Sequence, residues 1–116
     1  MTLKKHTLVT GSNGFLGQSL YKYLESESYY VLGSVRQDSA KIATQNNVVV
    51  SSLSSHTDWS AALNNCDVVI HTAARAHVFN ESSEDVLSQY REVNSIASVN
   101  LARQAVEFGV RRFIFV

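Results

Sequence analysis

Three glycines near the start of the chain have a spacing suited to binding a phosphate group. Gly11, Gly14 and Gly17 recur every three residues, between an apolar stretch typical of a strand and an amphipathic stretch typical of a helix. Glycine lets the backbone turn tightly, approach a ligand closely and pack a helix against a strand. The helix that follows offers N–H groups and the positive end of its dipole to an anion. We therefore predict a cradle for a nucleotide cofactor; the alternative is a glycine-rich turn that binds nothing.

The residues around this loop predict strands that alternate with helices. Leu16, Leu20, Tyr23 and Leu24 share one helical face, which predicts an amphipathic helix directly after the loop. Runs of β-branched, aromatic and other apolar residues predict five strands, at Leu3–Val9, Tyr29–Val35, Val48–Val50, Asp67–Thr72 and Arg112–Val116.

Further helices are predicted between the later strands. One or two helical turns are expected over residues 39–45, and a short helix capped by Thr57 or Asp58 is expected to end near Leu63, with Trp59 as a packing residue. A long helix should begin at Ser82 or Ser83. Gly109 is placed just after its C-cap, and its apolar stripe consists of Val93, Ala97, Leu101, Ala105 and Phe108.

This alternation predicts an α/β fold, a doubly wound parallel sheet with right-handed crossovers. In such sheets ligands bind beyond the carboxyl ends of the strands, near the point where the strand order reverses. The loop after the first strand is expected at that point.

Composition, charge and cysteine content restrict the kinds of protein that this chain can be. The chain has 116 residues, enough for one domain, with 45% hydrophobic and 17% charged residues and a formal net charge of zero. This balance argues against a nucleic-acid or anionic-membrane partner. Cys66 is the only cysteine, so neither a disulfide within the chain nor a cysteine zinc site is expected, and we interpret it as a small packing residue. No metal site is predicted. Without a membrane-spanning stretch or an apolar leader, a cytoplasmic location is expected.

Several motifs resemble one known family. The spacing G-x-x-G-x-x-G, with Thr10 before it and Phe15-Leu16 inside it, resembles the extended short-chain dehydrogenase/reductase superfamily, and within it the NAD-dependent epimerase/dehydratase family that acts on nucleotide sugars. Asp67–Ala74 (DVVIHTAA) looks like that family's fourth strand, Tyr90–Asn94 like the helix with its cofactor-side asparagine, and Val110–Val116 like the strand before its catalytic serine. The resemblance covers nearly the whole chain and implies an NAD(P)-binding, Rossmann-type domain over residues 1–116.

The resemblance also implies which residues contact the cofactor. The three glycines would shape the pyrophosphate loop, the backbone of residues 13–16 would donate to phosphate, and the small residues after the fourth strand would lie beside a ribose. For the alanines, packing of helix on sheet is an equal alternative; for the asparagine, exposure to solvent is the alternative. The implied set is Gly11, Asn13, Gly14, Phe15, Leu16, Gly17, Arg36, Ser52, Leu53, Thr72, Ala73, Ala74, Arg75 and Asn94.

Two departures from the family pattern bear on whether the chain would prefer NAD or NADP. An acidic residue at the end of the second strand normally binds the ribose 2′-hydroxyl and selects NAD, but Val35 and Arg36 stand here. A guanidinium can pair with a 2′-phosphate, so the sequence favours NADP modestly; a solvated charge is the alternative reading of Arg36. Ser52 stands where the family often has an aspartate near the adenine.

The family's acid/base machinery is missing from these 116 residues. The resemblance implies hydride transfer at a nicotinamide, with a Tyr-x-x-x-Lys pair and a serine or threonine, yet no tyrosine here is followed four residues later by lysine. We therefore expect the N-terminal part of a longer family fold, truncated after the fifth strand and without turnover of its own. The nucleotide-sugar substrate, by analogy a UDP-sugar, would bind only the longer protein. Alternatives are a non-catalytic dinucleotide sensor or remnant and, less favoured, a receiver-like signalling domain.

The apolar end of the chain leads to a prediction about self-association. Residues Phe113–Val116 read as a buried strand, and an open strand with an apolar face tends to pair with another chain. We expect the 116-residue chain to form homo-oligomers by edge pairing or strand exchange. Light scattering at tens of micromolar measures this, and a clean monomer would contradict it.

Overall fold

A parallel sheet forms the centre of the protein in the computed structural model, which describes residues 5–35, 46–50, 54–72 and 95–116. All strand pairs are parallel, and the order across the sheet is β3-β2-β1-β4-β5. The strands are β1 His6–Thr10, β2 Tyr30–Val35, β3 Asn47–Val49, β4 Val68–His71 and β5 Arg112–Phe115. The predicted doubly wound α/β fold is confirmed. The order reverses between β1 and β4, so the loop after β1 lies at the switch point as expected.

Three helices lie within the described ranges: α1 Phe15–Ser26, α2 Ser60–Leu63 and α3 Ala97–Glu107. The chain before α2 differs in detail from the prediction. The helix begins one residue after Trp59, and the Asp58 carboxylate accepts the Ser60 N–H at 2.9 Å, which lowers the pKa of that carboxyl. The N-cap position is Trp59, so neither Thr57 nor Asp58 is the cap as predicted; the Thr57 hydroxyl accepts the Ser54 N–H at 2.9 Å instead. The predicted turns at 39–45 and the start of the long helix near Ser82 lie outside the described residues.

Apolar side chains cover both faces of the sheet. Neighbouring residues of β1 point to opposite sides, and Leu8 and Val9 are both fully buried. The Leu8 side holds the larger cluster, which includes Trp59, Leu63, Val69 and Leu101, and the Val9 side holds Tyr21 and Val31. Burial on both faces explains the apolar residues in the middle of the central strands. At the edge, β5 is not the buried strand that was predicted, since Ile114 and Phe115 are 47% and 60% exposed.

Cys66 belongs to the larger cluster and is buried. Its burial raises the pKa of the thiol, so the thiol form is favoured over the reactive thiolate. This agrees with its interpretation as a packing residue.

Two helices end in the same left-handed turn. Gly109 follows α3 with φ of 77°; its N–H donates to the Val106 carbonyl, and the next N–H donates to the Ala105 carbonyl. These two bonds form a Schellman motif, which confirms the predicted position of Gly109. Ser28 adopts the same conformation after α1, with φ of 69°.

The described helices contain no stretch that is both long and apolar enough to cross a membrane.

Candidate functional site

The glycine turn connects β1 to α1 at the carboxyl edge of the sheet. Gly11 has φ of 66°, a left-handed conformation that favours glycine, and its carbonyl accepts the Gly14 N–H at 2.9 Å. Gly14 precedes the helix and brings no side chain to cap it. An α-helix leaves the N–H groups of its first turn without intrahelical acceptors. The backbone of Phe15 and Leu16 therefore presents donors at this edge, whereas the Gly14 N–H, expected among the phosphate donors, is used inside the turn.

Gly17 is tightly packed between α1 and the glycine turn. A Cβ at this position would overlap the carbonyl oxygen of Gly11, and it would lie 2.8 Å from the Gly11 carbonyl carbon and 3.0 Å from the Thr72 hydroxyl oxygen. Only a hydrogen fits between the helix and the turn. The predicted role of this glycine in shaping the loop thus has a steric basis.

A buried serine that was not among the predicted site residues connects the glycine turn to the neighbouring strands. Ser12 is fully buried; its N–H donates to the Ser34 carbonyl at 3.2 Å, and its hydroxyl donates to Asn47 Oδ1 at 3.0 Å. Gly33 makes room for it, since a Cβ there would overlap the Ser12 side chain. The turn is therefore anchored to β2 and β3 as well as to β1. The small size of Ser12, between the first two glycines, was the one feature of the sequence that could have indicated its burial.

A histidine at the end of β4 forms a second buried polar group. The His71 ring lies with Nδ1 2.7 Å from Thr10 Oγ1 and Nε2 3.0 Å from Ser98 Oγ. The rings of Phe113 and Phe115 stand against it, with centroid distances of 6.1 and 5.7 Å. Burial lowers the pKa of His71 from its ordinary 6.5 to about 4, because the charged ring would lose its hydration. The ring is thus neutral at physiological pH.

Thr72 ties the ends of β1 and β4 together. Its N–H donates to Thr10 Oγ1 at 3.0 Å, and its hydroxyl donates to the Thr10 carbonyl at 2.5 Å. The hydroxyl also lies next to Gly17, so Thr72 packs against the first turn of α1. Contact between this residue and a cofactor stays a prediction.

The loop before α2 is fastened to α3 by two side-chain amides. Asn100 Nδ2 donates to the carbonyls of Thr57 and Ser54 at 2.9 and 3.2 Å. Gln104 donates to the Thr57 carbonyl at 2.7 Å and accepts the Trp59 N–H at 2.9 Å. Asn100 is buried, and both residues were missed because amides on a helix face resemble ordinary surface positions.

The remaining predicted contacts lie outside the described residues. β2 and β3 end at the same edge as the glycine turn, since Val35 pairs with Val49 and its carbonyl accepts the Val50 N–H at 2.8 Å. The positions outside are Arg36, Ser52, Leu53, Ala73, Ala74, Arg75 and Asn94. Within the described ranges, no cluster of three or more histidine, cysteine or acidic side chains is suited to a metal ion.

Comparison with known proteins decides the family. The family model described as NAD dependent epimerase/dehydratase matches residues 7–116. The chain belongs to this family. It is 40% identical over 114 residues to the UDP-glucose 4-epimerase of Vibrio cholerae, covering 98% of this chain and 35% of that protein.

Solved structures agree with the epimerase/dehydratase assignment. A short-chain dehydrogenase/reductase superfamily protein from Agrobacterium tumefaciens with bound NAD has a TM-score of 0.73 and 26% identity, over 95% of this chain and 31% of that one. The UDP-glucose 4-epimerase of Thermotoga maritima with UDP-glucose has a TM-score of 0.73 and 25% identity, over 95% and 37%. The chain therefore spans about a third of the length of the curated relatives it matches. The preference for NADP expected from Val35 and Arg36 is not confirmed by these relatives.

Proposed function

We propose that residues 1–116 form an NAD-binding domain whose glycine turn holds the cofactor diphosphate. The observation that carries this proposal is the packing at Gly17, where the turn, α1 and Thr72 meet without room for a Cβ. A glycine-rich turn that binds nothing has no need to place an uncapped helix N-terminus at the reversal of strand order. Membership of an NAD-dependent family and the NAD bound by the Agrobacterium relative support the same conclusion.

The described residues fit a dinucleotide in a specific way. The N–H groups of Phe15 and Leu16 and the dipole of α1 would stabilise the negative diphosphate. Phe15 is 94% exposed, so its side chain does not cover this end of the helix. The contacts that the family resemblance implies at Arg36, Ser52 and Asn94 belong to this proposal as sites for the adenosine and nicotinamide sides of the cofactor.

We propose further that the complete protein acts on a nucleotide sugar, as its epimerase relatives do by name. Bound nicotinamide would supply the hydride acceptor and donor for that chemistry. This chain's own contribution is to bind and orient the cofactor. The 116 residues contain no Tyr-x-x-x-Lys pair, so we expect no turnover from them alone.

Titration of the 116-residue chain with NADH and with NADPH tests the binding proposal. We expect enhanced nicotinamide fluorescence and a Kd between about 1 µM and 1 mM, because the turn and the helix dipole act on any dinucleotide. Gly109→Ala is the control, since Gly109 lies at the far end of α3 and its variant should bind as the wild type does. A chain that is folded by circular dichroism but binds neither dinucleotide at millimolar concentration would contradict the proposal. The ratio of the two affinities measures the choice between NAD and NADP.

A further inference from the structure

Three buried polar side chains connect α3 to the end of β1. Thr10, His71 and Ser98 are 0%, 3% and 7% exposed, and the two ring nitrogens of His71 each contact one hydroxyl, at 2.7 Å on the Thr10 side and 3.0 Å on the Ser98 side. We call this set the Thr10–His71–Ser98 relay. It joins β1, β4 and α3 through side chains alone.

The two hydroxyls of the relay are coupled through the ring. A neutral imidazole has one N–H donor and one acceptor nitrogen. Whichever hydroxyl donates to the ring, the other therefore accepts from it. In a buried setting such hydrogen bonds are strong and polarise one another, so a change at Ser98 alters the bond at Thr10.

The Thr10 end of the relay reaches the glycine turn directly. Thr10 immediately precedes Gly11, and its hydroxyl and carbonyl also bind the N–H and hydroxyl of Thr72. Thr72 in turn borders Gly17. A shift of the Thr10 side chain would therefore be transmitted to both sides of the turn.

A histidine is not the residue that packing alone would favour here. The Phe113 and Phe115 rings already pack beside the position, and an apolar ring would avoid the cost of burying polar nitrogens. The cost is offset only because both nitrogens have partners. His71 therefore provides a polar connection between α3 and the turn that an apolar ring at this position would not.

We propose that the Thr10–His71–Ser98 relay positions the glycine turn for the dinucleotide, with His71 and Ser98 as positioning residues that do not touch the ligand. The inference rests on the proposed binding of NAD at this turn. It makes the Ser98 hydroxyl on α3 a determinant of cofactor affinity, although Ser98 lies on a different element from the turn.

Ser98→Ala tests the relay in the 116-residue chain. We expect it to weaken NADH binding about fivefold and Ser98→Thr, which keeps the hydroxyl, to restore most of that loss. In a His71→Phe background, which already lacks the relay, Ser98→Ala should have no further effect on affinity. Gln104→Ala is the matched control on the same helix, because it loosens the contact of α3 with the loop before α2 but leaves the relay intact; its NADH affinity should equal that of the wild type.

A spectroscopic measurement separates positioning from a merely structural role. In nitrogen-15 NMR of the histidine side chains, we expect His71 to be neutral in one tautomer and its ring shifts to change when NADH saturates the chain. Unchanged His71 shifts together with wild-type affinity for Ser98→Ala would overturn the relay while leaving cofactor binding intact. If neither the backbone amides of the glycine turn nor His71 respond to NADH, cofactor binding itself fails, and the relay inference fails with it. The Ser98 and Gln104 variants and the NMR shifts decide the matter even if His71→Phe does not fold.

Discussion

Gly17→Ala should destabilise the chain by at least about 3 kcal/mol, the size expected when a buried position is overpacked against backbone. The added Cβ would overlap the Gly11 carbonyl oxygen and lie 2.8 Å from the carbonyl carbon. Neither atom can rotate away, so the turn or the first turn of α1 has to move. Urea unfolding followed by the fluorescence of Trp59 measures the loss. With an m-value of about 1.5 kcal/mol/M, the midpoint should fall by roughly 2 M.

Gly14→Ala provides the matched control for this substitution. It adds the same methyl group three residues earlier in the same motif, but its Cβ would lie 3.3 Å from the Gly11 carbonyl oxygen, a contact relieved by a shift of a few tenths of an ångström. We expect a cost of no more than about 1 kcal/mol. Equal unfolding midpoints for the two variants would show that Gly17 is not the tight position. NADH affinity should fall more for Gly17→Ala than for Gly14→Ala in whatever fraction remains folded.

The chain should lose stability as the pH falls from 7.5 to 5, by about 2 kcal/mol from one histidine. The pKa of His71 is lowered by burial to about 4 in the folded protein, against an ordinary 6.5. Between these values the unfolded chain binds a proton that the folded chain does not, so acidification favours unfolding. The stabilisation is present above pH 6.5 and is lost progressively as the pH falls toward 4.

Urea midpoints at pH 7.5, 6.5, 5.5 and 5 measure this dependence, above the range in which carboxyl groups titrate. His71→Phe should remove most of the slope. A wild-type midpoint that stays constant from pH 7.5 to 5 would contradict the assignment of a low pKa to His71.

Local patterns in the sequence were enough to predict the layout of the fold. Strand positions followed from short runs of apolar and β-branched residues, because the central strands of a parallel sheet are covered on both faces. Gly109 was predicted correctly because a left-handed residue after a helix has a strong chemical preference. Ser28 has the same conformation and carried no such signal, since a serine fits many kinds of turn.

The glycine turn takes its predicted shape where a backbone requirement selects the residue type, while its contact with a cofactor stays a prediction. Gly11 adopts a left-handed conformation, and Gly17 makes a contact with no space for a Cβ. Both constraints favour glycine, so the sequence shows a glycine at each position. Ser12, His71 and Asn100 were missed because their partners are far away in sequence: 35 residues for Ser12 and Asn47, and 61 for His71 and Thr10. A hydrogen bond between such distant residues depends on the tertiary fold, so it cannot be predicted from the type or position of either partner alone.

The anchoring of the glycine turn has a thermodynamic consequence for a ligand. Hydrogen bonds from Ser12 to Ser34 and Asn47, and from Thr72 to Thr10, fasten the turn to several strands through contacts within the protein itself. A binding loop that must be ordered by its ligand spends part of the interaction energy on lost chain entropy. Contacts within the protein fix the backbone donors here, so binding at the proposed site would cost little chain entropy, and the attraction between the helix end and a diphosphate would be available for affinity.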